Sequence, residues 1–68
     1  MNKNRITDEI MDLRDYRIRL QRKVAELEDK ALWEPKNFSE DDSYWLRYYR
    51  ADIARIKATE EELRHRIA

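Results

Sequence analysis

The run Trp33-Glu34-Pro35-Lys36-Asn37-Phe38-Ser39-Glu40-Asp41-Asp42 decides the fold. Pro35 has no N–H to give a helical ladder, and its ring pushes Glu34 out of the helical region. A helix arriving from the N-terminal side must therefore stop near Leu32 or Trp33. Just beyond, Ser39 has the side chain of a helix N-cap. Glu40, Asp41 and Asp42 follow it into a first turn, where carboxylates favour the positive end of the helix dipole. One helix ends and another begins within a few residues.

Upstream of the break, Ile6, Ile10, Leu13, Arg17, Leu20, Val24, Leu27 and Ala31 are spaced alternately four and three apart, and all but Arg17 are apolar. That is the period of a helix face, not of a strand. Thr7 is placed to cap this helix, with Ile6 and Met11 as the two halves of a hydrophobic staple. Downstream, Leu46, Tyr49, Ile53, Ile56, Glu60, Leu63 and Ile67 keep the same rhythm with one polar member, Glu60. The expected fold is all-α and a single domain, with a helix over about residues 7–33, a turn over 34–38 and a helix over 39–67. So short a connection makes the two helices antiparallel. At about 1.5 Å per residue each would be about 40 Å long, a two-helix hairpin of coiled-coil type.

Folded about the turn, Arg17 and Glu60 come to the same height, with Leu13 near Leu63, Leu20 near Ile56, Val24 near Ile53 and Leu27 near Tyr49. A heptad seam also admits a slip of three or four residues. An Arg–Glu pair inside a seam adds little stability but penalises every register that separates the charges. The alternative is that both side chains snorkel outward from the seam edge.

Two helices bury one stripe each, and bookkeeping for so small a chain comes out near zero without a staple or a partner. A second stripe on the first helix, Met11, Ile18, Ala25 and Leu32, recurs every seven residues. On the second helix Ala51, Ala54 and Ala58 make a smooth face that would let another helix come close. Met11, Ile18, Leu32, Ala51, Ala54 and Ala58 are the candidate self-association residues of a homodimer, in effect a four-helix bundle. Alanine is also simply a good helix former on an exposed face.

Composition excludes a good deal. The 68 residues carry 15 basic and 15 acidic side chains, one His, no Gly and no Cys. There is no glycine-rich phosphate loop, no disulfide, no cysteine–zinc site and no thiol nucleophile. No apolar run approaches the roughly 20 residues that span a bilayer, and the polar start opens no signal peptide. Absent cysteines fit a reducing, cytoplasmic setting. Glu62 and His65 have the Glu-x-x-His spacing of metal bundles, but the seam through Glu60 and Leu63 turns both outward. No metal, no cofactor and no catalytic residues are expected, and with no nucleophile–base pair the chain does not read as an enzyme.

Charge is patterned beneath its zero net value. Arg14–Lys23 holds five basic and one acidic residue, Arg47–Lys57 four and one, and Glu26–Asp42 seven acidic and two basic. Antiparallel pairing makes a rod with a basic waist and an acidic tip. Part of this pattern is helix support by i,i+4 pairs such as Asp15–Arg19, Glu26–Lys30 and Glu60–Arg64. The aromatics gather at the same tip: Trp33, Phe38, Tyr44, Trp45, Tyr48 and Tyr49, with Tyr16 apart. Trp33 and Phe38 are expected to close the core over the turn. Tyr44 and Tyr48, beside Arg47, face away from the other helix, and exposed Tyr, Trp and Arg are what binding hot spots are made of.

The stretch Phe38-Ser39-Glu40-Asp41-Asp42-Ser43-Tyr44, at the tip of an antiparallel hairpin, resembles the tip of the Gre-type transcript-cleavage factors. In that family an acidic coiled-coil tip reaches into RNA polymerase. The resemblance covers seven residues, without the Gly-Asp that precedes the family's tip and without its second domain. It implies that an acidic tip on a rigid rod can probe a larger enzyme.

Three readings follow. In the first, the chain is a protein-interaction module, a small regulator or inhibitor of the kind a phage or mobile element encodes. It docks its tip or second apolar face onto a larger partner, for which a nucleic-acid-handling protein is a good match. Tyr44, Trp45, Arg47 and Tyr48 supply contact area, and Glu40, Asp41 and Asp42 steer a basic surface. In the second, Arg19, Arg22, Lys23, Arg47, Arg50, Arg55 and Lys57 bind nucleic-acid phosphates. In the third, hairpins assemble with one another, tip against waist.

Overall fold

The structure, a computed structural model, describes the backbone of residues 2–67 and the side chains of residues 5–66. Helix α1 (Asn2–Trp33) and helix α2 (Glu40–Ile67) are joined by one 3-10 turn, Pro35–Asn37. The two pack side by side into an all-α hairpin measuring 52 × 15 × 14 Å. Its radius of gyration is 15.4 Å, whereas a compact chain of this length would have about 11 Å. The molecule is a rod.

The turn is the work of Pro35. Glu34, pushed out of the helical region, sits at φ −132° and ψ 55°. Its N–H still donates to the Lys30 carbonyl at 2.8 Å, closing the last turn of α1. Asn37 N–H then donates to Glu34 O at 2.9 Å and Phe38 N–H to Pro35 O at 3.3 Å, so the freed backbone groups find partners inside the turn. No described residue has a positive φ. The proline stop replaces the left-handed glycine that ends many helices.

Ser39 caps α2. Its Oγ accepts the Asp42 N–H at 3.1 Å, and Asp42 Oδ2 accepts the Ser39 N–H at 3.0 Å. This is a reciprocal capping box with aspartate in the place glutamate usually takes. The start of α1 differs from expectation: the helix begins at Asn2, so Thr7 lies inside it and is not its N-cap. No Gly or Pro stands between Asn2 and Thr7, and a good capping residue does not stop a ladder that its neighbours can extend. Without a cap at Thr7 there is no staple either, and Met11 is exposed.

The core is narrow. Leu20, Ile56 and Leu63 are its buried apolar side chains, and Leu13, Val24, Leu27, Leu46, Tyr49 and Ile53 are half-buried around them. Glu60 is buried among them, only 3% exposed. The side chain of Ile67, expected in the seam, lies outside the described residues. Trp33 does not close the core, being 76% exposed. At about 100° per residue it points away from the Leu20–Leu27 stripe. Phe38 is half-buried over the turn.

Away from the turn, two of the bridges between the helices define one register. Arg17 meets Glu60, and Glu28 meets Arg50. From the first bridge to the second, α1 advances eleven residues while α2 retreats ten, as antiparallel helices without a slip require.

Candidate functional site

The first turns of α2 carry four rings in mutual contact. Tyr44 and Tyr48, one helical turn apart, lie near-parallel at 25° with centroids 6.4 Å apart. Trp45 stands close to perpendicular to both, at 79° and 77°, with centroids 5.2 and 5.6 Å away. Tyr49 continues the cluster into the seam, 5.8 Å from Trp45 and 6.1 Å from Tyr48. Lys23 reaches across from α1 and holds its Nζ 5.9 Å from the Tyr49 centroid. Tyr49 thus belongs to the hairpin, while Tyr44, Trp45 and Tyr48 remain 53%, 45% and 44% exposed. Phenol and indole rings half in water at adjoining positions of a rigid helix are pre-ordered contact area.

The acidic residues of the tip do not share one role. Asp42 is occupied: its Oδ2 holds the Ser39 N–H and lies 2.9 Å from Lys30 Nζ. Lys30, then the Ser39 backbone, hold its carboxyl below the ordinary value by stabilising the charged form. Glu28 pairs with Arg50 at 3.1 Å, and Glu34 accepts from Asn37 Nδ2 at 3.3 Å. Glu40 and Asp41 are exposed and make no ion pair among the described residues. Of the three carboxylates expected to steer a partner, two face solvent and one latches the hairpin. Between the helices beneath the rings lies a shallow groove of about 290 Å³, walled by Lys23, Leu27, Lys30, Trp45 and Tyr49.

The basic waist is partly spent within the molecule. Arg17 Nε donates to Glu60 Oε1 at 2.8 Å and Nη2 to Oε2 at 3.4 Å, a two-pronged pair across the seam. Arg64 adds a longer contact to Glu60 at 3.8 Å. Arg50 is paired with Glu28 and Arg55 with Asp52, at 3.1 and 2.7 Å. Arg19, Arg22, Arg47 and Lys57 make no ion pair among the described residues. The second apolar stripe is open, with Met11, Ile18 and Leu32 exposed on α1 and Ala51, Ala54 and Ala58 exposed on α2.

Glu62 and His65 go separate ways: Arg66 donates to Glu62 at 3.1 Å, and His65 Nε2 lies 3.3 Å from Glu61. Among the described residues no three carboxylate or imidazole side chains converge on a point where a metal could sit. No described helix is long and apolar enough to cross a membrane. Compared with known proteins, the chain matches no family model, no curated protein and no solved structure.

Sequence reasoning missed the Lys30–Asp42 latch and the reciprocal half of the cap. The Ser-x-x-Asp spacing at Ser39 and Asp42 was the available signal for the cap. Nothing in the sequence pointed to Lys23 over Tyr49, which depends on how far one long side chain reaches across the groove.

Proposed function

We propose that this hairpin is a non-enzymatic protein-interaction module, a small regulator or inhibitor that docks its aromatic tip onto a larger protein. The observation that carries the reading is the exposure of three mutually packed rings, Tyr44, Trp45 and Tyr48, on a helix whose start is fixed by its own cap. The hairpin gains little by ordering rings that it leaves in water, whereas a partner gains a pre-arranged apolar patch. Arg47 stands beside the rings without an ion-pair partner among the described residues, and Glu40 and Asp41 border them with negative charge. A chain without cysteine suits a reducing compartment such as the cytoplasm.

Nucleic-acid binding through the waist is the weaker reading. Arg50 and Arg55, two of the cations it needs, face carboxylates of the same chain, and Lys23 lies over Tyr49.

The test is retention of a partner by the immobilised chain, comparing wild type with Tyr44→Ala/Tyr48→Ala. Loss of retention with unchanged far-ultraviolet dichroism supports a docking tip. Loss of helicity would make the rings structural, and equal retention would move the contact elsewhere.

A further inference from the structure

We infer that the three exposed rings form a slot for an arginine side chain of the partner. The inference rests on the docking role just given to the tip and names the chemistry docked there. Tyr44 and Tyr48 are two near-parallel walls, and Trp45 stands perpendicular to both along one side. A flat group stacked between two rings needs about 3.5–4 Å to each, so walls about 7–8 Å apart. The Tyr44 and Tyr48 centroids are 6.4 Å apart, about 1 Å short of that spacing, so one of the exposed rings must turn aside as the guanidinium enters. Guanidinium is the planar cation of proteins and stacks on aromatic faces, whereas the lysine ammonium is compact and strongly hydrated and does not.

Charge selects the same occupant. Asp41 lies one turn before Tyr44 and Trp45 on the same helix, with Glu40 next to it, both exposed and without an ion-pair partner among the described residues. Glu26 and Asp29 on α1 are likewise exposed and unpaired among the described residues, against Lys36 and Arg47 as the cations near the rings in that condition. The slot is not filled from within: among the described residues the cation over a ring is Lys23, and its ring is Tyr49. An arginine-bearing basic surface therefore meets open ring faces and free carboxylates in one place.

The probe is a short blocked peptide of arginines alternating with glycine, set against its lysine and citrulline counterparts, with the full chain followed by NMR. The Trp45 indole N–H and the Tyr44 and Tyr48 ring signals report on the slot, and Trp33 serves as an internal control. The arginine peptide should move the slot signals and bind about five- to tenfold more tightly than the lysine peptide, with citrulline inactive. Asp41→Asn should weaken it several-fold, and Tyr44→Leu/Tyr48→Leu should remove the preference for arginine. If that double variant loses helicity, the ring shifts of the wild-type chain with the three peptides decide alone.

Equal binding of the arginine and lysine peptides would overturn the inference, leaving charge alone. Stronger ring shifts with an oligothymidylate than with the arginine peptide would also overturn it, in favour of base stacking. Shifts with a leucine- and tryptophan-rich peptide alone would overturn the arginine slot while leaving the docking tip standing. Silence of the rings with every probe would overturn both.

Discussion

Lys30 and Asp42 close the hairpin at its turn: the Lys30 ammonium lies 2.9 Å from Asp42 Oδ2, the oxygen that also accepts the Ser39 N–H at 3.0 Å. One carboxylate thus caps the second helix and ties it to the last turn of the first. The rings that follow at Tyr44 and Trp45 are mounted directly on this junction.

That geometry sets an acid dependence. The Asp42 carboxyl is held below its ordinary value, first by Lys30 and then by the Ser39 backbone. Its contribution is therefore complete above the ordinary carboxylate range, near pH 4, and is lost as pH falls through the lower folded value. Thermal melts of the wild type should lose midpoint as pH drops below about 4. Asp42→Asn should show a lower midpoint at pH 7 and a shallower fall in acid. Ser39→Ala, which removes the other half of the cap, should cost about 1 kcal/mol at neutral pH. An identical acid profile for Asp42→Asn and wild type would show that the latch is idle.

The Arg17–Glu60 pair makes a different prediction. Glu60→Ala leaves the half-buried Arg17 guanidinium without its two-pronged acceptor, and such losses cost about 3–5 kcal/mol. In a rod with so narrow a core, that is enough to unfold the chain in urea well before the wild type. Arg17→Leu/Glu60→Leu should recover most of the stability but release the register. Spin labels on exposed positions of the two helices would then report a broadened distance distribution in place of a single narrow one. A narrow distribution in the double variant would show that packing alone sets the register.

Burial separates two large apolar side chains. Leu20→Ala should cost about 2–4 kcal/mol, because Leu20 is buried at the centre of the seam. Trp33→Ala should stay within about 0.5 kcal/mol, because Trp33 is exposed. Chemical denaturation of both variants decides, and a large effect at Trp33 would place that ring against something in solution.

Much of this architecture was legible because it follows from local rules. Pro35 ended one helix by backbone chemistry and Ser39 began the next with its side-chain cap. Given that turn, the three–four spacing brought Arg17 to Glu60, since both lie on the seam at about the same height along the rod. What was not legible depended on longer chains of circumstance. Thr7 has a capping side chain, but a cap needs a helix that stops, and Asn2–Ile6 carries nothing to stop it. Trp33 sits at the tip in sequence yet faces outward by its angle on the helix. The Lys30–Asp42 latch depends on the path of the turn, and the walls formed by Tyr44 and Tyr48 depend on side-chain rotamers that no spacing rule encodes.

Self-association through the open stripe is also testable. We expect a second copy to cover Met11, Ile18 and Leu32, because these residues are exposed at heptad spacing on a molecule with few other apolar reserves. Light scattering on a sizing column should give the mass of two chains, and Ile18→Glu should halve it. A wild-type monomer would exclude the four-helix bundle.

The central claim is that the aromatic tip is where this protein meets its partner, and photo-crosslinking tests it most directly. A photoreactive phenylalanine placed at Tyr48, and separately at Thr59, exposed three turns further along α2, would be irradiated under the conditions in which the partner is retained. We predict one discrete larger adduct from position 48 and none from position 59, with the position-48 adduct abolished by Tyr44→Ala. Equal adducts from both positions, or an adduct from position 59 alone, would contradict the account and shift the contact from the tip to the body of the rod.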